Sequence, residues 1–160
     1  MAKTGTTRDL LIVALQDLND GERAVTRFLP SLAEGVSAPL AGYIAAERER
    51  AARQAARLEQ ALEALGAEPT DAPNLWLRAE LDDAARDHRT ILPGPLRDIA
   101  LVGAFRKARQ SERVSYETAV GLANAVGEAA LAASLEQSRD EEAHADAELA
   151  GLLQEFLAQA

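Results

Sequence analysis

The sequence contains no cysteine and few aromatic residues. Without cysteine the chain cannot form a disulfide framework, a zinc knuckle or a thiol nucleophile, and we expect a cytoplasmic location. Aromatic residues make up 4% of the chain, which leaves little material for stacking on nucleic-acid bases or for a large aromatic pocket.

Positive charge is also scarce, since 17 lysines and arginines face 26 aspartates and glutamates, for a net charge of −9. A surface that binds nucleic acid is basic, so we expect no nucleic-acid partner. The longest apolar run, residues 10–15, is far too short to span a membrane and is flanked by Asp9 and Asp17. Nothing resembles a signal peptide or a phosphate-binding glycine loop, so the sequence indicates neither a membrane partner nor nucleotide chemistry.

Strand patterning is missing as well, because the apolar residues recur at helical spacing. With 160 residues the chain is long enough for one domain with a substantial core, and we predict a single domain over residues 1–160. Residues 1–6 are predicted to be a flexible terminus and residues 67–95 a crossover that contains a short helix. Glycine, proline and capping residues predict helices over residues 7–34, 37–65, 74–89, 96–126 and 128–158.

The predicted fold is therefore all-α, with two antiparallel helix hairpins joined through the short extra helix. This arrangement is a four-helix bundle with one crossover, as found in ferritin-like folds. Along each long helix, seam residues spaced alternately four and three apart form a mostly apolar stripe that faces the partner helices. One glutamate interrupts each stripe, and the four are Glu22, Glu47, Glu112 and Glu142.

The positions of these glutamates predict that they meet. Glu112 and Glu142 each lie 15 residues from Gly127, so an antiparallel hairpin places them side by side. Glu22 and Glu47 lie 13 and 12 residues from the turn at residue 35, which also indicates similar heights. Four carboxylates in one core repel each other and lose hydration unless cations or protons neutralise them.

Two interpretations of the four glutamates remain open. In the first they bind iron or manganese as a dinuclear site, because hard cations prefer oxygen ligands and facing helices can bridge two ions. In the second the helices merely pack closely, and the acids reach solvent or pair with arginine. Small residues in the stripes suit both interpretations, and they are Ala51, Ala108, Ser115, Ser138 and Ala145.

Several further residues are weaker candidates for the site. Glu49 and Glu141 are possible additional metal ligands. Tyr116, one turn after Glu112, is predicted either to donate a hydrogen bond to a ligand carboxylate or to pack at the rim of the core. Glu141-x-x-His144 looks like the Glu-x-x-His pair of di-iron bundles, but at about 100° per residue His144 points away from the stripe. We therefore predict a surface histidine.

Outside the stripes, the sequence gives simpler expectations. His88 and the acids Asp17 and Asp20 are predicted to lie on the surface. Trp76 is predicted to pack the short helix over the bundle.

The order and spacing of several groups of residues resemble the YciE/YciF family of ferritin-like proteins over about residues 7–153. The residues that carry the resemblance are Asp9-Leu10 with Asp17, Glu22 before Leu29-Pro30, Gln54 with Arg57-Leu58, Arg97-Asp98-x-Ala100-Leu101, Glu112 with Tyr116 and Thr118, and Asp140-Glu141-Glu142 with Asp146. The resemblance implies a bacterial, cytosolic, stress-associated protein that forms homodimers. It also implies a di-metal site and ferroxidase-type activity.

Position by position, the inward acids of that family correspond to Glu22, Glu112 and Glu142. Glu47 stands where the family has a histidine, and the run from Arg109 to Glu112 lacks an acid and a histidine of the family pattern. Arg109 and Arg50 lie one turn from Glu112 and Glu47, where a guanidinium can neutralise carboxylates in place of a metal. The alternative function is therefore a metal-free dimerisation or interaction protein with a degenerate site.

Overall fold

The computed structural model describes residues 3–160, and within them the chain is all-helical, without strands. A 3-10 turn, Leu29–Leu32, follows the first helix. The five helices are α1 (Thr7–Phe28), α2 (Ala38–Ala64), α3 (Leu75–Thr90), α4 (Pro95–Ala125) and α5 (Ala129–Leu157). Five helices were predicted and five are present in residues 3–160, although the first ends earlier than predicted. The predicted flexible terminus falls partly on residues 1 and 2, which lie outside the described residues, and the single-domain assignment stays a prediction.

Helix α1 begins as predicted and ends earlier than predicted. The Thr6 hydroxyl accepts a hydrogen bond from the backbone N–H of Asp9 (3.0 Å), and the Asp9 carboxylate accepts one from the backbone N–H of Thr6 (3.0 Å). This capping box satisfies two backbone donors at the start of the helix. The prediction that the helix runs to residue 34 is wrong, because Pro30 has no N–H to donate and its ring disfavours a further α-helical turn.

The start of α2 also differs from expectation. Ser37 is the capping residue by position, but its side chain makes no capping bond. Its backbone N–H instead donates to Asp98 in the first turn of α4 (3.2 Å). The start of α3 agrees with expectation, because the Asn74 side chain accepts from the backbone N–H of Leu77 (3.0 Å). Ser37 is thus held by a tertiary contact without capping α2 through its side chain, whereas Asn74 caps α3.

The long helices pair as two hairpins, α1 with α2 and α4 with α5, and α3 lies against α4 and α1. Helix α1 runs antiparallel to α2, since Arg8 donates to the carbonyl of Leu65 (3.1 Å) and Asn19 to that of Ala55 (3.1 Å). This register places Glu22 opposite about residue 52, between Glu47 and Gln54, because each helical residue advances about 1.5 Å. Glu22 and Glu47 therefore do not share one height.

Two apolar clusters form the core. One surrounds Ile44, Phe105 and Leu149, and the other surrounds Leu15 and Leu58. The predicted stripes are buried over most of their length and drift by one residue near three helix ends, where Leu62, Ala123 and Ala132 are buried in place of Ala61, Leu122 and Leu131. This drift follows from the difference between 3.6 residues per helical turn and the 3.5 of a strict heptad.

Among the helices of residues 3–160, none combines the length and the apolar character that a membrane crossing requires.

Candidate metal centre

All four predicted glutamates are buried, with at most 2% of each exposed. On α1, α4 and α5 the glutamate separates residues of one apolar cluster from residues of the other. The residue at that boundary on α2 is Gln54, whereas Glu47 lies one heptad earlier in the helix, among residues of the first cluster. The predicted layer of four is thus a group of three with Glu47 to one side.

Glu22, Glu112 and Glu142 form what we call the three-glutamate cluster. Each contributes a carboxylate oxygen, and these oxygens all lie within 4.8 Å of one another. Metal–oxygen bonds of about 2.0–2.6 Å span such separations when one cation sits between the oxygens. The heptad spacing therefore predicted this convergence correctly for α1, α4 and α5.

A buried arginine lies between the cluster and Glu47. Arg109 is 3% exposed, and its Nη1 donates to Glu142 (2.8 Å) and to Glu47. Its Nη2 lies 2.6 Å from Oε2 of Glu112, an ion pair without the alignment of a hydrogen bond. Arg109 and Glu112 share a face of α4 because they are three residues apart. One guanidinium thus contacts carboxylates from α2, α4 and α5.

Glu47 is fully partnered by groups of its own chain. One oxygen accepts from Arg109, and the other accepts from Arg50 and from the hydroxyl of Tyr43 (3.3 Å). Arg50 also donates to Glu148 on α5 (3.2 Å), which links it to the surface. Together the four glutamates, Arg109 and Arg50 form the buried charge network of this protein.

The three-glutamate cluster is only partly satisfied. The Tyr116 hydroxyl donates to Oε1 of Glu22 (2.7 Å), and the Gln54 amide donates to Oε1 of Glu142 (2.9 Å). Oε2 of Glu22 and both oxygens of Glu112 have no hydrogen-bond partner among residues 3–160. Buried acceptors without partners are rare in native proteins, and each one calls for an unseen proton, water or ion.

Burial and like charge change the pKa values in this network. Desolvation raises the pKa of Glu22 well above its usual value, and the charges of Glu112 and Glu142 raise it further. Desolvation raises the pKa of Glu112 to about 8 and that of Glu142 to about 6, although Arg109 opposes both shifts. Burial alone lowers the pKa of Arg109, but the surrounding carboxylates outweigh burial and raise it. Without a metal, these raised pKa values favour the protonated forms of Glu22 and Glu112.

Helix α3 covers the cluster through a close approach to α1. A Cβ atom on Gly21 would lie 3.0 Å from Leu77, 3.1 Å from the amide of Asn74 and 3.5 Å from Oε1 of Glu112. Asp20 anchors this contact, because it accepts from the backbone N–H of Asn74 (2.7 Å) and pairs with Arg78. The prediction that Asp20 is a surface acid is therefore wrong.

The remaining candidates lie outside the cluster. Glu49 and His144 are exposed, so the predicted surface position of His144 is confirmed. Glu141 pairs with Arg57 through two hydrogen bonds of 2.9 and 2.6 Å. Tyr116 is a buried donor, as one of its two interpretations required, but its acceptor is Glu22 and not the neighbouring Glu112.

One other prediction fails. Trp76 does not pack over the helices, since 72% of it is exposed and the buried residue of that stretch is Leu77. His88, which was predicted at the surface, is partly exposed, and its ring lies 2.7 Å from the carbonyl oxygen of Glu34.

Tyr43 and Gln54 are the site residues that the sequence reasoning passed over. Tyr43 precedes Glu47 by one helical turn, as Tyr116 follows Glu112 by one turn, so the same spacing could have identified it. Gln54 stands on the α2 stripe one heptad after Glu47 and is the other strongly polar interruption of that stripe. Both signals are present in the sequence.

Comparisons with known proteins identify relatives of the whole chain. The family described as "Domain of unknown function (DUF892)" matches residues 6–160. The crystal structure of the E. coli stress protein YciF is 25% identical, with a TM-score of 0.92 over 97% of this chain and 99% of that one. YcfI from Rhodopseudomonas palustris, at 24% identity, has a TM-score of 0.86 over 92% of this chain and 94% of its own. No curated protein matches. The predicted resemblance to the YciE/YciF family is confirmed.

Proposed function

The chain belongs to the DUF892 family, and we propose that its three-glutamate cluster binds a hard divalent metal ion, iron or manganese. The observation that carries the proposal is the set of unpartnered oxygens on Glu22 and Glu112. Groups as deeply buried as these are costly without a partner, and a cation among the three carboxylates satisfies them together.

The donor set favours these metals over softer ones. The cluster offers carboxylate oxygens alone, since neither histidine reaches it and the chain has no cysteine. Carboxylates suit magnesium, calcium, manganese and iron, whereas copper and structural zinc sites usually include nitrogen or sulfur. The hydrogen bonds of Tyr116 to Glu22 and of Gln54 to Glu142 fix the orientation of two ligands, as outer partners do in metal sites.

We also propose that the helices form the ferritin-like four-helix bundle that the sequence predicted, and that the protein forms homodimers in the cytoplasm. Likeness to a bacterial stress protein supports a stress-associated role. Bound iron would supply the redox chemistry of a ferroxidase, the oxidation of iron(II) by dioxygen. The residues of the chain hold the carboxylates in place and exclude bulk water.

Arg109 favours a second candidate function, the metal-free interaction protein. Its guanidinium contacts three of the four buried glutamates and is a permanent cation. In that case two protons on Glu22 and Glu112 would complete the neutralisation. The two candidates differ in whether the unpartnered oxygens hold a metal or protons.

Metal content separates them. Protein purified without chelator is analysed for iron and manganese, and the apo protein is titrated calorimetrically with manganese(II). We expect bound metal in the wild type and a loss of at least tenfold in affinity for Glu112→Gln and for Glu142→Gln. His144→Ala, an exposed change two residues from Glu142, is the control. Wild-type protein that binds no manganese would favour the metal-free candidate.

A further inference from the structure

We propose that Arg109 permanently occupies the position of a second cation, so that the buried charge network takes one divalent ion and not two. The proposal rests on the metal binding proposed above and gives its stoichiometry. It concerns the chemistry of this chain, where a guanidinium lies among carboxylates that could otherwise bridge two metals.

The contacts of Arg109 are those of a bridging cation. Nη1 donates to both Glu142 and Glu47, on two different helices, and Nη2 lies 2.6 Å from Glu112. Glu47 already accepts three hydrogen bonds, because Arg50 and Tyr43 bind its other oxygen, and it has no oxygen in the three-glutamate cluster. Each oxygen of Glu142 accepts only one hydrogen bond from the described residues. Oε2 of Glu22 and Oε1 of Glu112 accept no hydrogen bond within residues 3–160, and Oε2 of Glu112 has only its ion pair with Arg109, which leaves donors for one further cation.

The formal charge of the buried charge network also indicates a single divalent ion. The network contains four carboxylates, and Arg109 and Arg50 supply two positive charges. The formal sum is −2, which one divalent ion neutralises. A second divalent ion would leave a net charge of +2 in the core, and an uncompensated buried charge is strongly unfavourable.

The arginine cannot easily make room. Its side chain is 3% exposed and packed within the core, and a guanidinium keeps its proton under all ordinary conditions. Moving it would leave one oxygen of Glu47 and one oxygen of Glu142 without a donor. Arg109 therefore occupies the second cation position whenever the protein is folded.

Stoichiometry tests the proposal. Manganese(II) bound per chain is measured by elemental analysis after gel filtration and by calorimetry, for the wild type and for Arg109→Glu. This variant changes the formal charge of the network from −2 to −4, which two divalent ions neutralise. We expect one manganese per wild-type chain and two per Arg109→Glu chain.

Arg106→Glu is the matched control. It makes the same charge change one turn earlier on α4, where Arg106 pairs with Asp146 outside the network. We expect one manganese per chain for this variant. Electron paramagnetic resonance of the wild type gives a second measurement, which stands even if Arg109→Glu does not fold. A single site shows the hyperfine pattern of isolated manganese(II), and a pair shows magnetic coupling.

The outcomes distinguish the two proposals. Two coupled manganese ions per wild-type chain would overturn the role of Arg109 and leave the proposed metal binding intact. One ion in both the wild type and a folded Arg109→Glu would also overturn that role. A wild type that binds no manganese would overturn the proposed function itself, whatever the variant does.

Discussion

The two ends of the buried charge network are equally buried but neutralised in different ways. At one end, Glu47 has hydrogen bonds from Arg109, Arg50 and Tyr43 on both of its oxygens. At the other end, both oxygens of Glu112 lack a hydrogen bond. The first end has two arginines of the sequence as its cations, whereas the second shares only Arg109 and depends for the remaining neutralisation on protons or a metal ion that can exchange. Only the second end can respond to its surroundings.

The largest expected effect comes from removing the cation that both ends share. Arg109→Ala leaves Glu47, Glu142 and Glu112 without their common guanidinium, and we expect the apo protein to lose about 3–5 kcal/mol of stability. Chemical denaturation of metal-free protein measures the loss. Arg106→Ala removes another arginine of α4 from a partly exposed pair with Asp146 of α5 and should cost about 1 kcal/mol or less. Equal small losses for both variants would show that the network is not held by Arg109.

The exchangeable end should make apo stability depend on pH. Because the pKa of Glu112 is raised to about 8 and that of Glu22 is raised as well, the folded state keeps protons that the unfolded state releases above about pH 4.5. Stability contributed by these groups is fully present below that pH and is lost as pH rises toward 8. Within this range, each proton that only the folded state retains makes the folding equilibrium constant fall about tenfold for each unit that the pH rises.

Denaturation of apo protein at intervals from pH 5 to 8 measures this slope, and Glu112→Gln should flatten it by removing one of the protons. Glu141→Gln is the control, since Arg57 and other partners lower the pKa of Glu141 despite its partial burial. Saturating manganese should also flatten the slope, because the metal displaces the protons. If Glu112→Gln left the pH dependence of stability unchanged, the result would contradict the view that the Glu112 end of the network holds exchangeable protons.

Sequence reasoning located the buried glutamates because the face of a helix that a residue occupies follows from spacing along that one helix. It misjudged the relative heights of Glu22 and Glu47, because α1 ends at Phe28 and the register between α1 and α2 follows contacts such as that of Asn19 with Ala55. The prediction that Asp20 is a surface acid was also wrong because of a distant contact, since its partner Asn74 lies 54 residues away. Contacts between helices decide these features, and no local period encodes them.

The two buried tyrosines give a smaller and more selective comparison. Tyr116 donates to Glu22 at the exchangeable end, and Tyr43 donates to Glu47 at the arginine end. Tyr116→Phe should weaken manganese binding by roughly 10-fold or more, because Glu22 loses the donor that orients it. Tyr43→Phe should leave manganese affinity within about twofold, since Glu47 keeps both arginines. Calorimetric titration of the two variants measures the difference, and equal losses would mean that both ends bind the metal.

The smallest expected effect concerns the outer face of α5. Glu141-x-x-His144 has the spacing of a di-iron ligand pair, yet His144 is exposed and Glu141 is held by Arg57. We therefore expect His144→Ala to change stability by at most about 0.5 kcal/mol and manganese stoichiometry not at all. Elemental analysis and thermal unfolding with and without manganese check both points. A clear loss of metal would place the cation on the outer face of α5, and the unpartnered oxygens of Glu22 and Glu112 would then hold protons alone.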